Sequence, residues 1–243
     1  MSGHSHWHSI KYQKTAADVK KSKAFSKIAR EITIAAKEGG DPEFNSRLRL
    51  AIEKAKSINM PAENIERAIK RGTGELAGAK LEPVLFEAYG PGGVAIIIEG
   101  ITDNKNRTLG EIKQILSEYG GKLANEGSVK WLFERKGCLT IDLENQSVSG
   151  KTKEELELIA IEAGADDIYW QDKFLDIYTK PEELEKVKKK IEEKGIEIDS
   201  ATLDWVPKEK ILLNEEKKSD CQKLFEALDE NDSVQEIYSN LKL

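Results

Sequence analysis

The sequence predicts a mixed α+β protein: an N-terminal three-helix bundle followed by two ferredoxin-like α+β domains, one inserted into the other. Three observations predict it. Apolar residues recur at helical spacing up to Gly72, and from Leu81 they switch to strand-like runs. The stretch 138–206 reads strand-helix-strand twice over, the split βαβ order. The segments on either side of it are half-units that complete each other.

In the bundle, Thr15 with Asp18 three positions later forms a capping-box start, and Gly39-Gly40 makes a stop, giving a helix over 15–38. Phe25, Ile28, Ile32 and Ala35 mark its apolar stripe, while Lys20, Lys23, Lys27 and Arg30 repeat at the same spacing. At about 100° per residue the two stripes lie roughly opposite each other. Asp41-Pro42 reads as an N-cap with Pro at the first helical position, followed by a second stripe of Phe44, Leu48, Ala51, Ile52, Ala55 and Ile58. Asn59 closes it. Pro61 opens a third helix through Ile65, Ala68 and Ile69 to Gly72. Helices this short bury their stripes only by packing together. With a polar arm over its first 14 residues, this domain spans 1–79.

Leu81–Tyr89 and Val94–Ile101 read as strands around the tight-turn signal Gly90-Pro91-Gly92-Gly93. No helix follows that turn, so it is a hairpin rather than a phosphate loop. Asp103-Asn104 leads a helix over 105–119, and Val129–Phe133 is the next strand. Then come strand 138–143, helix 153–163, strands 166–170 and 174–179, helix 181–194 and strand 196–206. Ile211–Leu213, a helix around Cys221–Leu228, and Val234–Leu241 repeat strand-helix-strand. They complete the unit begun by strand 94–101, helix 105–119 and strand 129–134. The expected division is therefore 80–135 with 207–243 as a discontinuous domain and 136–206 inserted in it. Three sequential modules would leave the C-terminal piece too small for its own core.

Of 243 residues, 39% are hydrophobic and 34% charged, a balance suited to modest cores. No apolar run approaches the roughly 20 residues that span a bilayer. The N-terminus lacks the apolar segment of a secretory signal, and Cys138 and Cys221 stand alone. A cytoplasmic chain with no membrane partner is expected. Charge is unevenly placed: residues 1–80 carry 16 Lys and Arg against 9 Asp and Glu, a net +7. The remainder carries 22 against 35, a net −13. Such asymmetry points to a polyanion held by the N-terminal third; the plainer alternative is a solvated Lys-rich surface.

The candidate contacts follow from that split. Lys11, Lys14, Lys20, Lys21, Lys23, Lys27 and Arg30 run through arm and helix with only Asp18 interrupting. Cations on phosphates release counterions and bind largely without regard to sequence. Trp7 and Tyr12 lie among them, as base-stacking aromatics would. Arg47 and Arg49 extend the patch on the second helix, and Arg67 and Lys70 on the third. Arg71 adjoins them and also suits a helix C-terminus. Lys105 and Arg107 stand beside the amides of Asn104 and Asn106, although Asp103 or Asn104 also serves as a helix cap. His4, His6 and His8 alternate around Trp7 with no Asp, Glu or Cys nearby, so no metal or other cofactor is expected. With every His in the arm and no GxSxG, Walker or HExxH pattern, neither catalysis nor a small-molecule substrate is indicated.

Several stretches together resemble the YebC family, whose mitochondrial members are translational activators. They include Gly3-His4-Ser5, Phe25-Ser26-Lys27, Arg47-Leu48-Arg49-Leu50-Ala51, Asn59-Met60-Pro61, Tyr89-Gly90-Pro91-Gly92-Gly93, Thr102-Asp103-Asn104 and Phe133-Glu134-Arg135-Lys136-Gly137. The resemblance covers the whole chain, with His6 where Lys is usual and a less acidic run at Asn231–Gln235. It implies one helical and two α+β domains and a role in gene expression. The first reading is a DNA-binding transcriptional regulator. The second is a ribosome-associated translation factor on rRNA or tRNA that assists synthesis of proline-rich stretches. In either, the acidic domains would face proteins of the transcription machinery or the ribosome. A protein-only adaptor is the third.

Overall fold

The computed structural model describes residues 18–171 and 173–242. Helix α1 (Asp18–Ala35) tightens into a 3-10 turn over Ala36–Glu38. The expected cap Thr15 lies outside the described residues. Helix α2 (Ser46–Ser57) begins later than its spacing predicts, because Asn45 and not Asp41 is the cap. The Asn45 side-chain oxygen accepts from the Leu48 amide at 3.0 Å, and its NH2 donates to the Ala35 and Gly39 carbonyls. Asp41 instead closes a turn by accepting from the Glu43 amide. Phe44, assigned by spacing to the apolar stripe, therefore stands outside the helix and is 89% exposed.

Asn59 adopts φ 58°, an αL position that Asn tolerates, and turns the chain into α3 (Ala62–Thr73). Gly72, read from the sequence as a stop, lies inside α3 and has a packing role. A Cβ there would sit 2.4 Å from the Thr33 carbonyl oxygen and 2.6 Å from the Ala36 Cβ. Its bare backbone lets α1 and α3 approach. Ile28, Ile32, Leu48, Ala51, Ala55, Ile65 and Ala68 fill the space between the three helices.

Two four-stranded sheets follow, all pairs antiparallel. In the first, β1 (Glu82–Tyr89) and β2 (Ala95–Thr102) form the hairpin around Gly90–Gly93. Helix α4 (Lys105–Glu118) leads to the short β3 (Lys122–Leu123). The second sheet comprises β4 (Phe133–Asp142), β5 (Asp167–Trp170), β6 (Phe174–Thr179) and β7 (Ser200–Pro207), with α5 (Lys153–Ala163) and α6 (Leu184–Glu193) on one side. The chain then returns through α7 (Glu215–Asp229) to β8 (Val234–Ser239), which pairs with β2. The strand orders are β3-β1-β2-β8 and β5-β6-β4-β7. In the second, the first and third strands of a βαββαβ run are central, as the split βαβ pattern requires.

The expected strand over 129–134 is not part of the first sheet. The Glu87 carboxylate, on a residue 3% exposed, accepts from the amides of Gly127, Val129 and Lys130 at 2.6, 2.5 and 2.8 Å. Amides so engaged cannot join a ladder. Lys130–Leu132 coil into a 3-10 turn, and the chain enters the second sheet at Phe133. Ile211–Leu213 likewise forms no strand, only a single parallel bridge from Ile211 to Leu241.

Strand β2 is buried on both faces. Ile96 and Ile98 pack with Ile112, Leu116, Leu224 and Leu228 of α4 and α7. Ile97 packs on the other side with Phe133 and Tyr238. Each fully buried Ile contributes roughly 1.5–3 kcal/mol of burial free energy. Glu99, also on β2, joins the sheets: its carboxylate accepts from Arg135 at 2.9 Å, the Trp205 indole at 2.8 Å and the Tyr238 hydroxyl at 3.2 Å.

Candidate nucleic-acid interface

The cationic stripe of α1 faces the body of the protein. Lys23 donates to the Glu230 carbonyl and, at 2.8 Å, to the Glu230 carboxylate. Lys27 donates to the Asp229 carbonyl at 2.8 Å and its carboxylate at 2.9 Å, and is itself only 6% exposed. Arg30 reaches the carbonyls of Asp232 at 2.8 Å and Ile101 at 3.1 Å. Asp229 ends α7, and Glu230 is its C-cap. The last carbonyls of a helix lack intrahelical partners and carry the negative end of its dipole. The last turn of α7 has no basic residue of its own, so α1 supplies the cations. These three side chains, expected on phosphates, are engaged within the chain.

Other pairs continue the seam. Arg49 donates to the Pro42 carbonyl and to Glu185 on α6 at 2.9 Å. Lys54 lies 3.0 Å from Glu31 and 2.9 Å from Glu236 of β8. Lys188 donates to Glu53 at 2.5 Å. Part of the opposite net charge seen in the sequence is thus satisfied where the bundle meets the two sheets. At that junction a cavity of about 650 Å³ is lined by six carboxylates against three cations, a balance that repels phosphate.

Trp7, Lys11, Tyr12 and Lys14 lie outside the described residues, as do His4, His6 and His8. Lys20 and Lys21 belong to the first turns of α1, where the backbone alone is described. Arg47 is exposed and lies 3.3 Å from Glu38. Lys70 pairs with Glu66 at 2.8 Å, and that hydrogen bond raises the lysine pKa and lowers that of the glutamate. Arg67 and Arg71 lie one turn apart on α3, exposed, and neither forms an ion pair among the described residues. Lys105 is exposed at the start of α4. Arg107 is held by Asp103, whose pKa its guanidinium lowers, and lies 3.6 Å from Glu111. Asn104 is the cap of α4, accepting from the Arg107 amide at 3.1 Å. The exposed cations thus sit on the bundle surface and at the start of α4; Arg47 borders the junction cavity, and Arg30 of the seam lies close enough to Asp103 to help lower its pKa.

Two features are not evident in the sequence. Trp131, expected in a strand, is 64% exposed, and Glu87 is the buried anchor of the loop that carries it. A Glu set among the apolar residues in the middle of a strand is the available signal for the second; nothing marks the first. Among the described residues no helix is long and apolar enough to cross a membrane.

Comparison with known proteins gives concordant matches. The profile for the TACO1/YebC protein N-terminal domain matches residues 5–75, and that for the TACO1/YebC second and third domain matches residues 81–241. A probable transcriptional regulatory protein of Persephonella marina is 50% identical over all of this chain and 96% of its own. One from Halothermothrix orenii is 49% identical with the same coverage. The crystal structure of a conserved hypothetical protein from Aquifex aeolicus superposes with a TM-score of 0.85 at 44% identity, covering 94% of this chain and 93% of that one.

Proposed function

The chain belongs to the TACO1/YebC family, and on that premise we propose that it is a non-enzymatic regulator of gene expression that acts by binding nucleic acid, duplex DNA in the first instance. The names of its relatives support a regulatory role. The observation that carries the binding mode is the pair Arg67 and Arg71, exposed and without ion-pair partners among the described residues. The bundle's other cations are largely directed inward, whereas these two face solvent on a rigid helix. With Lys70 on the same helix they offer a one-sided phosphate contact, to which Lys11, Lys14, Lys20 and Lys21 of the preceding sequence would add charge. Lys23, Lys27 and Arg30 act indirectly, by fixing the helix from which the basic arm departs.

A footprint on promoter DNA at physiological salt tests this. Protection stronger than on random duplex supports a sequence-reading regulator, and equal protection counts against it. The net charge of −13 beyond residue 80 favours a second reading, in which the acidic sheets lie beside basic ribosomal proteins and the bundle on rRNA or tRNA. Co-sedimentation with ribosomes after crosslinking is its test, and absence from those fractions rejects it.

A further inference from the structure

We propose that Trp131, together with Lys122 and Lys130, forms a second nucleic-acid site that accepts an unstacked base of a single strand. Trp131 is 64% exposed, yet it does not hang on a loose loop. Its indole N–H donates to the Ser128 carbonyl at 3.0 Å, and the same carbonyl accepts from the Tyr89 hydroxyl at 3.1 Å. The loop beneath is fixed by the hydrogen bonds that the amides of Gly127, Val129 and Lys130 donate to Glu87. A large aromatic face is therefore presented to solvent on a preorganised support, which lowers the entropic cost of using it.

The surroundings specify what the indole suits. Lys122 pairs with Tyr89 across β3 and β1, and its ammonium stands 5.9 Å from the Tyr89 ring centre. Lys130 precedes Trp131 in the chain and is exposed, its ammonium resting over the Trp205 ring 5.1 Å from the centre, so it adds positive charge to this surface without touching the Trp131 indole. Beside Tyr89 and Lys122 a hollow of about 400 Å³ is bordered by Gly90, Gly93, Gly120 and Gly121. The absence of side chains at those four positions leaves backbone that a sugar-phosphate can approach. A protein-docking tryptophan is normally embedded in a wider apolar patch. Here the support of the indole is polar: the Ser128 carbonyl it shares with the Tyr89 hydroxyl and, beside Tyr89, Lys122 and the glycine-bordered hollow. Aromatic stacking beside cations is the arrangement by which proteins hold single strands without reading sequence. In a duplex the base faces are covered by their neighbours, so this site discriminates in favour of single-stranded or looped nucleic acid. It does not depend on the phosphate contact proposed for α3.

The test is fluorescence anisotropy with labelled oligo(dT) and oligo(rU), and a labelled duplex in parallel, on the full chain. Trp131→Ala should weaken single-strand binding by roughly 5- to 160-fold, the range for losing one stacked base. Trp131→Phe should restore most of it, and Lys122→Glu should lower it further. Duplex affinity should stay unchanged in all three. Equal single-strand affinity in the native chain and Trp131→Ala overturns the site and leaves the indole to a protein partner. Loss of duplex binding on Arg67→Glu with the Trp131 effect intact, or the reverse, separates this site from the one on α3.

Discussion

Lys27 and Asp229 meet at 2.9 Å across 202 residues of chain, and the same ammonium also binds the Asp229 backbone carbonyl at 2.8 Å. One side chain of α1 thus serves both a carboxylate and an orphan carbonyl at the end of α7. Removing it takes a charged donor away from both in a largely dry seam. Lys27→Met is expected to destabilise the protein by about 1.5–3 kcal/mol, the usual range for hydrogen bonds to a charged group. Urea unfolding checks this. A double-mutant cycle with Asp229→Asn should give a coupling of about 1 kcal/mol.

Arg67 and Arg71 predict a contrasting phenotype. Both are exposed and outside the seam, so Arg67→Glu with Arg71→Glu should leave the melting temperature nearly unchanged. The slope of log affinity for DNA against log salt should fall by about 2, close to one for each phosphate no longer neutralised. Replacing Lys23, Lys27 and Arg30 with Gln should instead lower thermal stability. Reduced DNA binding in that variant should appear together with the stability loss.

Glu87 predicts a pH dependence. Burial raises its pKa, but the amides of Gly127, Val129 and Lys130 outweigh burial and hold it below the ordinary carboxylate value. A carboxylate with a depressed folded pKa contributes stability that is complete above its unfolded pKa, here near 4.5. That contribution is lost as pH falls from there through the folded value. Glu87→Gln should lower the urea midpoint at pH 7, costing about 1–3 kcal/mol, and flatten the acid limb of the stability curve below pH 4.5. Urea titrations of both proteins at neutral and acid pH measure it.

Gly72 predicts a packing defect. A methyl group there meets the Thr33 carbonyl oxygen at 2.4 Å, backbone that cannot step aside. Although Ala favours helices over Gly, Gly72→Ala should destabilise by about 1–3 kcal/mol because α1 and α3 must move apart. A rise in melting temperature would show that the helices reseat without strain.

Much of the architecture is legible in the sequence because it rests on periodicity. The 3.6-residue stripes of Ile28, Ile32 and Ile65, the hairpin around Gly90–Gly93 and the strand at 174–179 are local patterns, and each appears near its predicted place. Boundaries shift where a side chain from elsewhere in the chain takes over backbone groups. Asn45 displaces the cap from Asp41 and puts Phe44 in solvent. Glu87 draws the amides of Val129 and Lys130 out of the expected strand.

By itself the sequence determined the α+β class, the amphipathic helices and the separation of charge into a basic third and an acidic remainder. Those are properties of spacing and composition. Only the tertiary structure decided which cations face solvent. A helical stripe records that Lys23, Lys27 and Arg30 share a face, but not whether that face meets a phosphate or the carbonyl end of another helix. Both present partial or full negative charge to an ammonium at hydrogen-bonding distance. The C-terminus of α7 is brought there by packing between segments distant in sequence, and it is this packing that turns the stripe inward.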